Sequence, residues 1–246
     1  MALTRLSSAA EVLLATDHDP YVRGSLRAAD VHGWTGRGAV AWRATDPDDR
    51  GPYLMTLGRP EDVASLLADL LDELPNGSRV TLPRGTVPLL PAWVGLDGVD
   101  WDFRWLGAPP PAQPGEERVI TPADEDVAAL LERSSPTASG KPGDPWVRRW
   151  LGIAGPDGLL ACAADTSRAT GVGHLSSIAV SPDARGQGLG AAVTAALVRR
   201  MFDEGCDLVT LGMYAGNAAG RALYDHLGMA DEHRWTSGAL QVRSRW

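Results

Sequence analysis

The stretch from Val172 to Val193, VGHLSSIAVSPDARGQGLGAAV, constrains the fold of this chain more than any other. An apolar run from His174 to Val180 reads as a strand, and Ser181-Pro182 breaks it. A basic, glycine-dense turn follows, Arg185-Gly186-Gln187-Gly188-Leu189-Gly190, and then a helical pattern in which Leu189, Val193, Ala196, Leu197 and Met201 recur at spacings of three and four. Amides in the first turn of a helix lack intrahelical partners, and the helix dipole adds partial positive charge there. Glycines at 186, 188 and 190 remove the side chains that would hold an anion away. The device suits a pyrophosphate. A plain strand-to-helix turn would need the same glycines, so the turn alone leaves both readings open.

Other phosphate motifs fit less well. A P-loop requires GK[ST] at the helix start, whereas Gly190 is followed by Ala191-Ala192. A dinucleotide fingerprint requires G-x-G-x-x-G and an acidic residue about 20 positions on. The pattern present, R-x-x-G-x-G after Ile178-Ala179-Val180-Ser181-Pro182, resembles the acetyl-CoA motif of the GNAT superfamily of N-acyltransferases. The resemblance covers Val119 to about Trp235 and implies a mixed α/β sheet of the GNAT type, with acetyl-CoA as co-substrate. It implies that Arg185, Gly186, Gln187, Gly188, Leu189, Gly190 and Ala191 hold the pyrophosphate, chiefly through backbone amides. The main chain of Ile178, Ala179 and Val180 would pair with the pantetheine arm, and an amide near Ile178 would serve the thioester oxygen.

A second resemblance to the family lies in Asn217-Ala218-Ala219-Gly220-Arg221-Ala222-Leu223-Tyr224, followed by Leu227-Gly228. Seven residues at 100° each return Asn217 and Tyr224 to one helix face. Gly220 between them is expected to leave that face open to a ligand, with Ala219, Leu223 and Leu227 turned into the core. The family's tyrosine at the position of Tyr224 implies a general acid for the departing thiolate, and a core-edge tyrosine is the structural alternative. Asn217 is assigned to the cofactor side of the same helix. The base is open: many family members carry a glutamate on the organising strand, and this chain offers His174, or a water oriented by Ser176 or Ser177.

The remainder reads in order around this core. Val12 to Thr16, Gly38 to Ala44 and Tyr53 to Leu57 are expected strands, and Pro60-Glu61-Asp62 opens a helix with an apolar face at Val63, Leu66, Leu67, Leu70, Leu71 and Leu74. A strand at Arg79–Leu82, a helical segment near Val87–Val94 and a strand at Asp100–Leu106 complete a first lobe, 1–106. Residues 107–117 form a proline-rich linker. The catalytic lobe, 118–246, is expected to begin with a strand at Arg118 to Ile120. A helix capped by Thr121 with Pro122 in its first turn follows, then a loop over 134–145 and a hairpin around Gly155–Gly158. Its tail is read as a strand pair around Trp235 and Leu240–Val242.

The order strand, helix, strand, helix, strand occurs twice, from Tyr53 to Leu106 and from His174 to Thr236, with Asp102-Phe103-Arg104-Trp105 set against Glu232-His233-Arg234-Trp235. Where the second copy has its glycine turn, the first has Gly58-Arg59-Pro60-Glu61-Asp62, whose acids oppose an anion. The first lobe is thus either a degenerate GNAT-like copy or an unrelated α/β domain.

A net charge of −8 argues against a nucleic-acid partner and is compatible with an amine acceptor, a small molecule or a peptide. Cys162 and Cys206 show no metal-ligand spacing, so no metal is expected, and free thiols accord with a cytoplasmic setting. No apolar run approaches the ~18 residues of a membrane span. These features point to an N-acetyltransferase, with a non-catalytic acyl-CoA-binding sensor or scaffold as the alternative. The acceptor and oligomeric state, a homodimer included, are left open.

Overall fold

The structure, a computed structural model, describes residues 3–26, 31–45 and 52–242. In chain order the strands and helices are β1 (Thr4–Leu6), α1 (Ala9–Ala15), α2 (Pro20–Ser25), β2 (His32–Gly36), β3 (Ala39–Thr45), β4 (Pro52–Leu57), α3 (Pro60–Leu70), β5 (Arg79–Pro83), β6 (Val94–Leu106), β7 (Val119–Ile120), α4 (Asp124–Ser134), β8 (Arg149–Gly155), β9 (Gly158–Asp165), β10 (Val172–Val180), α5 (Leu189–Asp203), β11 (Leu208–Tyr214), α6 (Ala218–His226) and β12 (Ala230–Val242).

Two compact units emerge. One comprises Met1–Phe103, Tyr214–Gly216 and Glu232–Trp246; the other comprises Arg104–Met213 and Asn217–Asp231. Two long strands therefore change unit along their length, β6 between Phe103 and Arg104 and β12 between Asp231 and Glu232. The proline-rich segment lies inside the second unit. The Gln113 amide there donates to Glu116 Oε1, Gln113 Oε1 faces His226 Nε2 at 2.9 Å, and Glu116 pairs with Arg199 of α5 at 2.9 Å.

In the first unit β1-β2-β3-β4 run antiparallel, β4 and β5 pair in parallel, and β12 joins β5 antiparallel, Trp235 facing Pro83 and Ala239 facing Arg79. The α3 face predicted from its spacing is the buried one, with Val63, Leu66, Leu67 and Leu70 all at 1% exposure or less. Leucines buried this fully contribute about 1.5–3 kcal/mol each. Arg59 pairs with Glu61 and Asp62 over the helix start.

Several expectations are corrected here. Val12–Ala15 is helical and Thr16 is its C-cap, because Ser8 accepts the Glu11 amide while Glu11 Oε2 accepts the Ser7 amide, a cap that outweighs β-branching at Val12. The helix near Val87–Val94 shrinks to one turn at Val87–Leu89, since Pro91 has no amide to continue it. The α4 helix starts at Asp124 with Ala123 at its cap, later than the Thr121-Pro122 signal. The tail is a single strand, β12.

The two tetrads also align differently from the sequence expectation. Arg84, the first residue after β5, donates its amide to Arg234 O, and Ala215, the first after β11, donates to Asp100 O. Backbone bonding thus equates Asp100 with Arg234 and Trp101 with Trp235, four residues out of step with the tetrads. The counterpart of Arg104 on β12 is then Gly238.

The second unit stacks β7-β8-β9-β10 antiparallel and β10-β11 in parallel. Alternation along β9 serves two cores. Ala161 and Ala163 join a cluster with α5 residues Val193 and Leu197, while Cys162 and Ala164 join one with α4 residues Val127 and Leu130.

Candidate active site

The glycine turn takes the conformation its composition allows. Gly186 and Gly188 have φ of 75° and 76°, and a Cβ at either would meet nothing within 4 Å. Those dihedrals lie in the left-handed region that disfavours side chains. Gly188 caps α5 with no side-chain hydrogen bond, and the first amide the helix satisfies internally is that of Ala192, bonded to Gly188 O. Arg185, Gly186, Gln187 and Gly188 are exposed, whereas Leu189 and Ala191 pack into the core and offer only backbone to the turn. Gly190 sits close to Val180 and Leu223, where an added Cβ would lie 3.3 Å from Val180 Cγ2. The turn is an open rim of amides with no acid in it.

Beside it, β10 breaks its own pattern. The ladder with β9 slips between Ser176 and Ala179, and Ser177 has φ of 50°. This is a β-bulge. Leu175 packs on the α5 side and Ala179 on the α4 side, although residues four apart share a face in a regular strand. Ser177 Oγ accepts the Gly140 amide and donates to Gly140 O, both at 2.9 Å, while Ser176 Oγ reaches Ser139 Oγ at 2.8 Å. The 134–145 loop is therefore held on the bulge. Neither contact has a signal in the sequence.

The bulge has a second consequence. Parallel pairing of β10 with β11 runs from Val172–Leu208 to Leu175–Leu211 and stops. Past Leu175 the two strands part. Ser181 donates its amide to Leu160 O on the β9 side. By alternation Ala179 also directs its backbone groups to β9, and Ile178 and Val180 direct theirs into the gap.

Tyr224 is 6% exposed, and burial pushes its phenol up to about 12 against the opposing effect of the Arg104 charge. The α6 face is corrected in part: Leu227 is buried and Leu223 packs against the core as expected, but Gly220 and Tyr224 are buried as well and Ala219 is exposed. Asn217 explains Gly220 differently as well. Its Oδ1 caps the helix by accepting the Gly220 amide at 2.9 Å, and a Cβ at 220 would lie 2.4 Å from Asn217 Nδ2. The glycine makes room for the cap and does not open the face to a ligand.

His174 lies where β10 and β11 are still paired, opposite Thr210. Its Nδ1 is 2.9 Å from Thr210 Oγ1, which donates its one proton to Gly173 O at 3.0 Å. The hydroxyl then accepts from Nδ1–H, and in the neutral imidazole this tautomer makes Nε2 the basic nitrogen. Cys162 is fully buried, its thiol raised to about 12 by burial, so it is no nucleophile. Among the described residues no group of His, Cys, Asp or Glu could hold a metal, and no helix is long and apolar enough to cross a membrane.

Comparison with known proteins accords with this geometry. Residues 128–229 match the model of the acetyltransferase (GNAT) family. Mycothiol acetyltransferase of Paenarthrobacter aurescens (strain TC1) is 36% identical over 69 residues, which are 28% of this chain and 20% of that relative. The chain thus matches about a fifth of the relative's length. The GCN5-related N-acetyltransferase of Sphaerobacter thermophilus has the same fold at TM-score 0.57 and 16% identity, over 98% of this chain and 96% of that one. Another from Kribbella flavida gives 0.53 and 17%, over 93% and 94%. An open glycine turn capping α5, a bulged β10 parting from β11 and the family match over the same residues make 128–229 a domain of the acetyltransferase (GNAT) family.

Proposed function

We propose that the protein transfers an acetyl group from acetyl-CoA to a primary amine of a small molecule or peptide, by direct attack. The observation that carries this reading is the parting of β10 and β11 after Leu175 and Leu211, next to a glycine turn with no acid in it. Amides of Gly186 to Ala191 would take the pyrophosphate, with Arg185 and Gln187 at the rim. Ile178 and Val180 would bond the pantetheine arm as an added strand, Ala179 spacing them, and the Ile178 amide would face the developing oxyanion. Asn217 fixes the start of the helix that carries Tyr224.

In this mechanism the amine nitrogen forms a bond to the thioester carbonyl carbon, the C–S bond breaks, and Tyr224 gives its phenolic proton to the departing sulfur. The surplus proton of the amine goes to His174 Nε2, directly or through a water. With Cys162 sealed, no acyl-enzyme step is needed. The setting is taken as cytoplasmic, in keeping with the free Cys162 and Cys206. The first unit is read as a degenerate copy of the same fold: β4, α3 and β5 repeat β10, α5 and β11, but Thr56 Oγ1 bonds Thr81 O at 2.8 Å between the strands, and Glu61 and Asp62 occupy the helix start.

Calorimetric titration with acetyl-CoA tests the reading, followed by an acetylation screen over primary amines. Micromolar binding with turnover is expected. Binding without turnover on any amine would favour a sensor, and no binding would reject the acetyl-CoA assignment.

A further inference from the structure

Arg104 is the residue at which β6 enters the second unit, and its side chain is 1% exposed. A buried guanidinium requires counter-charge and acceptors. Arg104 finds them just after Tyr224 in the chain: Nη1 donates to Asp225 Oδ1 at 2.5 Å and to Met229 O at 3.4 Å, and Met229 in turn donates its amide to Tyr224 O. Asp225 itself is 59% exposed, so water weakens its field while the arginine keeps its own inside the protein. On the same helix His226 faces Gln113.

We propose that Arg104 is a positioning residue for acetyl transfer, its buried charge set against the Tyr224 phenol so that the phenolate left after proton donation is stabilised. This rests on the general-acid reading of Tyr224. A phenol that loses its proton to sulfur becomes an anion in a largely apolar cluster, which is costly without a nearby cation. Arg104 supplies that cation, and the phenol is reprotonated from solvent after the thiol leaves. The direction of its effect on Tyr224, opposite to that of burial, agrees.

The residue also gives the first repeat a role in catalysis. β6 is the closing strand of the Tyr53–Leu106 repeat, yet Arg104 to Leu106 belong to the unit that carries Tyr224. The corresponding position on β12 is Gly238, where even a Cβ would lie 2.0 Å from Asp97 O, and only the single turn Val87–Leu89 follows β5 where α6 follows β11. The acid and its counter-charge exist once, assembled from both repeats.

Substitutions at Arg104 and Asp225 test this. Arg104→Met should lower kcat roughly 10–100-fold while the Kd for acetyl-CoA holds, and Arg104→Lys should recover part of the loss. Asp225→Asn keeps an oxygen that can accept from Nη1 but removes the carboxylate charge that offsets the guanidinium. It should shift the Tyr224 titration, read by ultraviolet difference against the same protein with Tyr224→Phe, to lower pH. An unchanged titration in Asp225→Asn, or wild-type kcat in folded Arg104→Met, would overturn the proposal. If Arg104→Met fails to fold, the Asp225→Asn titration decides alone. Full activity in Tyr224→Phe would instead reject the general-acid reading, and the titration would still report whether Arg104 acts on the phenol.

Discussion

Leu175 and Leu211 are the last residues at which β10 and β11 face each other in register, and Ser177, two positions on, takes a φ of 50°. The bulge and the parting of the strands are one event. The extra residue shifts the register with β9 between Ser176 and Ala179, and beyond Leu175 no register pairs β10 with β11.

Gly188→Glu separates ligand contact from packing. No atom lies within 4 Å of a Cβ there, so the cost to folding is the left-handed dihedral alone, about 1–2 kcal/mol. The carboxylate would stand where the pyrophosphate belongs. Calorimetry should show at least a tenfold loss of acetyl-CoA affinity, with thermal unfolding still cooperative. Wild-type affinity would remove the turn from the site.

Tyr224→Phe should reduce kcat by about 10²–10⁴ and leave acetyl-CoA binding unchanged. The phenol is raised to about 12 in the folded state from an ordinary value near 10, so it remains protonated through neutral pH and imposes no alkaline limb there. Because the folded state holds this proton more tightly, its stabilising contribution is complete below pH ~10 and is lost as pH rises from ~10 to ~12. Unfolding measured across that interval should be less pH-sensitive in the phenylalanine variant.

His174→Ala should remove the acidic limb of the kcat/KM profile. Thr210→Val should weaken activity in the same direction, since the imidazole loses the acceptor that keeps its proton on Nδ1. An unaltered acidic limb in both variants would assign the base to water.

Ser177→Ala deletes both bonds to Gly140 while sparing the buried core. Faster amide exchange at Gly140 and in the loop around it is expected, with a higher KM for the amine and little change for acetyl-CoA. Equal protection in the variant would show that the loop is held by Val147 and its neighbours instead.

Local signals determined a good deal of this protein. Glycines at 186 and 188 were legible because their dihedrals are open to few other residues, and α3 and α5 because a buried stripe repeats every three or four positions. The parallel strands β4, β5, β10 and β11 were legible as apolar runs between turn residues. The resemblance of Asn217 to Tyr224 to the family's pattern pointed to Tyr224 and to the helix that carries it.

Tertiary structure decided the rest, where the outcome depends on what a segment meets. On α6 Leu223 and Leu227 turn to the core as their spacing predicts, but Asn217 folds back as a cap on Gly220, and Gly220 and Tyr224 are buried where an open face is expected. Nothing in Ser176-Ser177 announces a bulge, since the strain at Ser177 is held by Gly140, 37 residues away. The Asp-Phe-Arg-Trp and Glu-His-Arg-Trp tetrads look equivalent in sequence, but strand register depends on hydrogen bonds between distant segments and sets them four residues apart. Arg104 drew notice only as part of that tetrad. Its placement against the Tyr224 helix arises because β6 passes into the second unit, and pairing between strands so far apart in sequence leaves no periodicity along the chain.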